Sequence, residues 1–151
     1  MIGLIMAPWH FAQSQTGESG APSTQFALSE LVVTAGGKAH TFRIEVAITD
    51  QQRRQGLMHR TSLDSDSGML FDYGTSRPVA MWMKNTLIPL DMLFIAENGK
   101  IVNIAHDTEP LSLATIGSAG PVRAVLELNA GTARRLGIGS GDSVVYGIFK
   151  R

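Results

Sequence analysis

From residue 26 onward the chain alternates short apolar runs with punctuation rich in Gly, Pro, Asn and Asp. Leu31-Val32-Val33 and Phe42 to Ile48 are β-prone runs on either side of Gly36-Gly37, the pattern of a hairpin. Phe42, Ile44, Val46 and Ile48 alternate onto one face, leaving Arg43 and Glu45 on a solvated one. Thr49 with Gln52 three residues on predicts a capped helix start, and Asp50 suits the positive end of the helix dipole. Only Leu57 and Met58 are strongly apolar there, so this short helix is expected to dock through its C-terminal end. Met69-Leu70-Phe71 reads as a short strand closed by Tyr73-Gly74, and Val79 to Asn85 as the central strand. Asp91 to Ala96 and Lys100 to His106 form a second hairpin around Glu97-Asn98-Gly99-Lys100. Pro89 lacks an amide donor and interrupts the ladder before it. Pro121 to Leu128 is a strand; Asn129 is placed to cap a helix over 130–136 that ends at Gly137, with Arg134 and Arg135 in its last turn. Ser143 to Phe149 is the last strand. About seven short strands and two short helices, without parallel βαβ alternation, predict an α+β fold: a mainly antiparallel sheet curled into a partly open barrel.

The first 25 residues behave differently. Met1 to Ala7 is apolar, Ala12-Gln13-Ser14 offers small residues at signal-peptidase spacing, and Gln13 to Gln25 is too polar to bury a core. Residues 1–25 are therefore expected to be a flexible leader or signal-peptide remnant, and 26–151 one compact domain. No later run reaches the apolar length of a membrane span. The 13 basic and 13 acidic residues cancel, which gives no electrostatic case for a nucleic-acid binder. With no cysteine, thiol catalysis, disulfides and thiolate metal sites are excluded.

Candidate chemistry concentrates in Met81 to Asp91, where a Lys, an Asn and an Asp interrupt an otherwise apolar run. Strand alternation would set Met81, Met83 and Asn85 on one face and Trp82 with Lys84 on the other. Two readings are open. Trp82 stacks on a ligand while Lys84, Asn85 and Asp91 bind and orient it; or Trp82 is core, Lys84 lays its stem across it, and Asp91 pairs with Lys84 to hold the kink after Pro89. Glu127, alone among Val125, Leu126 and Leu128, is either a general base near Lys84 or a surface ion-pair partner beside Arg123. Arg53 and Arg54 are either an anion contact or a solvated helix face. Met81 and Met83, with Met58, Met69 and Met92 nearby, are soft donors that can hold Cu(I), assisted by His59 or His106, or ordinary fillers of an irregular core. His106, Asp107 and Glu109 cluster in the irregular 106–120 stretch. No nucleophile elbow, phosphate loop, dinucleotide fingerprint or zinc-protease motif is present, and no cofactor is expected.

Four segments occur together in order: Arg54-Gln55-Gly56-Leu57-Met58-His59-Arg60, Gly68-Met69-Leu70-Phe71, Trp82-Met83-Lys84-Asn85-Thr86-Leu87-Ile88-Pro89-Leu90-Asp91 and Val125-Leu126-Glu127-Leu128-Asn129-Ala130-Gly131. With the later Gly141-Asp142 they resemble the domain of unknown function 192 family, over about Leu31 to Phe149. Met81 departs from the aromatic that often precedes the Trp. The resemblance implies a fold and a site location without an activity, and members often carry an export signal.

Together these features lead to an expectation of an exported, periplasmic or secreted domain. It would bind a polar small molecule or an envelope partner through Trp82, Lys84, Asn85 and Asp91 without turnover. The alternatives are a hydrolase or transferase acting on an envelope carbohydrate or peptide with Asp91 or Glu127 as acid/base, Met-rich copper binding, and a function seated in the 106–120 loop.

Overall fold

A computed structural model describes residues 24–150, so the leader assigned to residues 1–25 lies outside the described residues apart from its last two. The Gly36-Gly37 turn joins strand β1 (Ala27–Ala35) to β2 (Lys38–Ala47) in an antiparallel hairpin that closes on the Ala35–Lys38 pair. Both glycines take positive φ, 55° and 76°, as a two-residue hairpin turn requires. Helix α1 (Asp50–Gln55) follows, and Thr49 and Gln52 form the expected capping box. It leads to β3 (Ser67–Arg77) and the short β4 (Ala80–Met81). Then come β5 (Leu90–Ile95), β6 (Ile101–Ala105), the short β7 (Ile116–Gly117), β8 (Val122–Asn129), α2 (Thr132–Leu136) and β9 (Ser143–Val145).

Seven strands make one sheet in the order β6-β5-β8-β3-β2-β1-β9, and β4 pairs with β7 separately. The Ile101 amide donates to the Asp142 carbonyl at 2.9 Å and the Gly141 amide to the Ile101 carbonyl at 2.8 Å. These bonds bring the approach to β9 against the start of β6, the opposite edge, and curl the sheet into a half-barrel. The fold is thus the expected mostly antiparallel α+β sheet with two short helices. One ladder differs: β2 and β3 run parallel, because α1 and the following loop carry the chain back to the middle of β2, where Ser67 pairs with Arg43.

Both faces of the sheet are covered. Leu31, Phe42, Ile44, Leu70, Leu93 and Leu126 pack on the inner face. Leu57, Met69, Phe71, Met83, Met92 and Val125 pack on the other. All of β5 is buried, which explains why its sequence, Asp91 apart, is a continuous apolar run rather than an alternation. Phe42, Ile44 and Val46 share the inner face as predicted, whereas Ile48 is 59% exposed because β2 ends at Ala47.

Three local readings are corrected. The expected central strand, Val79 to Asn85, is a strand only at Ala80–Met81; residues 82–89 are an irregular loop with a turn at Lys84-Asn85, where Asn85 lies in the left-handed region at φ 54°. Asn129 does not cap α2. Its side-chain amide donates to the Leu63 and Asp64 carbonyls, and Gly131 occupies the cap position. The last strand ends at Val145 instead of Phe149, although Gly137 ends α2 in the left-handed conformation as expected.

Candidate functional site

Glu127 marks the candidate site. The alternation of β8 turns Leu126 and Leu128 to the inner face and Glu127, with Val125, to the other. Its cross-strand neighbours are Met69 on β3 and Met92 on β5, both fully buried. Glu127 is 4% exposed, and burial is the one influence on its carboxyl: among the described residues no hydrogen bond or ion pair reaches it, while its oxygens are not among the fully buried atoms left without a partner and so keep contact with the opening above them. Burial alone raises its pKa from the ordinary 4.5 to about 8, so the group is a neutral carboxylic acid at pH 7. The reading of Glu127 as a surface ion-pair partner is therefore corrected. Arg123, two residues from Val125 and four from Glu127 along the same strand, is instead held by Asp72 at 2.7 Å and Glu97 at 3.5 Å.

Above Glu127 opens a cleft of about 270 Å³. Its walls come from α1 and the residues after it (Arg54, Met58), from β3 (Tyr73, Arg77) and from the turn after β4 (Trp82, Lys84). Trp82 is 49% exposed, and the Lys84 ammonium stands 5.1 Å from its ring centre. Trp82 is thus not core, although Lys84 does lie against it. Arg53 and Arg77 stand 5.4 and 5.1 Å from the centre of the Tyr73 ring. Burial, with a smaller push from the Glu127 charge, raises the Tyr73 phenol to about 12. Arg53 is committed to the protein, donating to the Ile48 carbonyl and, at 2.7 Å, to the Asp72 carbonyl, and pairing with Asp50. The side chains of Arg54, Arg77 and Lys84 have no ion-pair or hydrogen-bond partner among the described residues, although Arg77 and Lys84 lie against the Tyr73 and Trp82 rings. The cleft mouth is therefore cationic on a chain of zero net charge.

Close packing shapes the wall. Gly56, which ends α1 at φ 45°, lies where a Cβ would sit 2.9 Å from the Phe71 ring, so a side chain there would displace the helix from the sheet. The 106–120 stretch supports the opposite wall. The Met83 amide donates to the Ser112 carbonyl at 3.0 Å, the Leu111 amide to the Thr86 carbonyl at 3.1 Å, and β7 pairs with β4.

Of the other expected site residues, Met81 also lines this cleft, whereas Asp91, Asn85 and Met83 do not. Asp91 is fully buried on the inner side, where one carboxylate oxygen accepts the Asp107 amide at 3.0 Å and the other accepts the Ala133 amide of α2 at 2.9 Å. It caps α2 from a distant strand, and it neither faces the cleft nor pairs with Lys84. Asn85 is exposed beside the cleft, its amide 3.9 Å from the Met58 sulfur, and its carbonyl accepts the His59 amide at 2.8 Å. The Met81 sulfur accepts the Tyr73 hydroxyl at 3.0 Å, and the buried Met83 sulfur accepts the Thr108 hydroxyl at 3.2 Å. Asp107 pairs with Arg134, and among the described residues no group of three His, Asp or Glu side chains is placed to hold a metal ion.

The family model described as Uncharacterized ACR, domain of unknown function 192, matches residues 31–146. The chain belongs to this family. Two solved structures are similar along most of its length. One, from Sinorhizobium meliloti 1021 and described provisionally as a transcription regulator, is 48% identical with a TM-score of 0.79, over 81% of this chain and 95% of that one. The other, from Novosphingobium aromaticivorans DSM 12444 and described as of unknown function, is 38% identical with a TM-score of 0.79, over 83% of this chain and 89% of that one. No curated protein matches. In this domain of unknown function 192 member, the four segments that carry the resemblance all reach the cleft, through Arg54 and Met58, Phe71, Trp82 and Lys84, and Glu127.

Sequence reasoning missed Tyr73 and Arg77. Tyr73 read only as the close of a short strand, but β3 continues to Arg77 and brings both into the cleft wall. A second hollow, about 400 Å³, lies over β1, β2 and the start of β3, but its Arg43 is already paired with Asp66 at 2.8 Å.

Proposed function

We propose that this protein binds a small polar ligand with an anionic end in the cleft between α1 and the 82–86 turn, without turning it over. Trp82 supplies a stacking face, Arg54, Arg77 and Lys84 meet the anionic end, and Glu127 forms the floor. One observation carries the reading: a buried carboxyl with no hydrogen-bond or ion-pair partner among the described residues shares a cleft with three cations that no acid pairs. A carboxyl that meets only the opening of a concave site offers a hydrogen-bonding and charge partner that a ligand can use. The leader-like composition of residues 1–25 supports an envelope ligand. A role in transcription draws no support from the balanced charge or from helices of six and five residues, too short to present a reading face to a major groove.

Intrinsic fluorescence tests this in the full chain carrying Trp9→Phe, which leaves Trp82 as its sole tryptophan. It would be titrated with phosphate, amino acids, peptidoglycan fragments and Cu(I). A saturable change that disappears in Lys84→Ala is expected. Emission that no compound alters, with soluble quenchers reaching Trp82 equally in every mixture, contradicts the reading.

A second reading rests on the Glu127 pKa of about 8. A carboxylic acid that keeps its proton at neutral pH can serve as a general acid, with Lys84 as electrostatic stabiliser. Asp91 lies on the opposite face and cannot act with it as a second carboxyl, so this would be single-acid chemistry. Hydrolysis of an envelope glycan or peptide that Glu127→Gln abolishes would favour it over simple binding.

A further inference from the structure

The two poles of the cleft do not satisfy each other. Arg54, Arg77 and Lys84 line it, yet no cation of the described residues comes within ion-pairing distance of Glu127. The other charged or titratable groups sharing the cleft are also engaged or uncharged: Arg53 and Asp50 of α1 pair with each other, and Tyr73 keeps its proton and donates to the Met81 sulfur. The cross-strand partners of Glu127, Met69 and Met92, offer thioethers and no charge. A simple cation small enough to reach the floor must pass a positively charged mouth. A simple anion held at the mouth leaves the floor unsatisfied. A ligand carrying both charges meets both demands.

We propose that the cleft selects a zwitterion, with its primary amine seated on the Glu127 carboxylate at the floor and its carboxylate or phosphate held at the mouth by Arg54, Arg77 and Lys84. This rests on the reading of the cleft as a binding site and names the class of ligand it takes. A volume of about 270 Å³ suits an amino acid or a dipeptide-sized molecule. In the free protein Glu127 holds its proton below about pH 8, and an ammonium partner stabilises the ionised form. Binding therefore expels the carboxyl proton to solvent. Affinity rises by up to about tenfold per pH unit as pH approaches 8 from below, then levels off.

Calorimetric titration of the full chain tests this with matched probes: glycine, γ-aminobutyrate and ε-aminocaproate as zwitterions, butyrate and inorganic phosphate as anions, butylamine as cation. The best zwitterion is expected to bind at least about tenfold more tightly than butyrate or butylamine. At pH 6.5 it should release close to one proton per molecule bound, read from the heats in buffers of different ionisation enthalpy. Glu127→Gln should reduce it to the affinity of butyrate and abolish the proton release, while Lys84→Ala weakens zwitterion and anions alike. The comparison among probes on the unaltered protein needs no variant to fold. If butyrate or phosphate binds as tightly as every zwitterion and is lost in Lys84→Ala, the zwitterion is overturned while the binding cleft stands. If no probe binds, phosphate included, both are overturned.

Discussion

Asp91 and Glu127 sit on neighbouring strands one residue out of register, Asp91 opposite Leu128 and Met92 opposite Glu127, so their side chains leave opposite faces of the same sheet. Both are buried acids in apolar runs. Asp91 is satisfied by two backbone amides, one from the loop after β6 and one from the first turn of α2. Glu127 accepts nothing from the described residues and lies among thioethers at the floor of a cationic cleft. A buried carboxylate with two amide donors is structural mortar; a buried carboxyl without donors is a cost that packing has left in place. Strained or unsatisfied groups that persist in a well-packed fold concentrate where a ligand acts.

The largest expected effect falls on Asp91. Asp91→Ala leaves the Asp107 and Ala133 amides without their acceptor and should cost roughly 2–5 kcal/mol, read as a lower urea midpoint with an unchanged slope. Asp91→Asn retains one acceptor and should cost less. An unaltered midpoint in Asp91→Ala would erase the contrast.

Glu127 should respond oppositely. Its folded pKa of about 8 exceeds the ordinary 4.5, so between these values the folded protein holds a proton that the unfolded chain gives up. Stability therefore falls as pH rises through that window, by up to about 1.4 kcal/mol per unit from this group alone. Glu127→Gln should remove that slope and leave stability at pH 6 within about 1 kcal/mol of the parent, measured by denaturation across the pH range. A large loss at pH 6 would show that the carboxyl does structural work like that of Asp91.

Smaller effects sharpen the picture. Thr49→Ala removes half of the capping box that starts α1 and should cost about 1 kcal/mol in thermal or urea unfolding, loosening the wall that carries Arg54. Lys84→Ala, at an exposed position, should change stability by less than about 0.5 kcal/mol while weakening anion binding. Smallest is the shift at Tyr73. Its phenol, near 12, should titrate at lower pH in Glu127→Gln, because the Glu127 charge helps to hold it up, and ultraviolet difference spectra would follow it.

Local chemistry was legible in the sequence: the hairpin at Gly36-Gly37, the Thr49–Gln52 capping box and the Gly137 helix end all depend on residues a few positions apart. The partly open barrel followed from strand count and turn spacing. Non-local features were not legible. Nothing in β2 announces that β3 will run parallel to it, since that depends on where the α1 crossover lands. Nothing near Ala133 signals that its cap comes from Asp91, 42 residues earlier. Val79 to Asn85 looked like a strand because it is mostly apolar, yet the left-handed Asn85 turns it and leaves Trp82 and Lys84 at the cleft mouth. At the site, Trp82, Lys84 and Glu127 were each visible as misfits in apolar runs. Their meeting was not, and neither was the departure of Asp91 to the other face, which the one-residue offset of β5 against β8 decides.

The most direct test is carbon-13 NMR of the side-chain carboxyls as a function of pH, with the Glu127 resonance assigned by its absence in Glu127→Gln. A carboxyl that stays protonated through neutral pH and titrates near 8 is the result predicted for a buried group left without a partner at the floor of the cleft. A Glu127 that titrates near the ordinary 4.5 would mean that solvent or a protein cation already satisfies it, and would contradict the account.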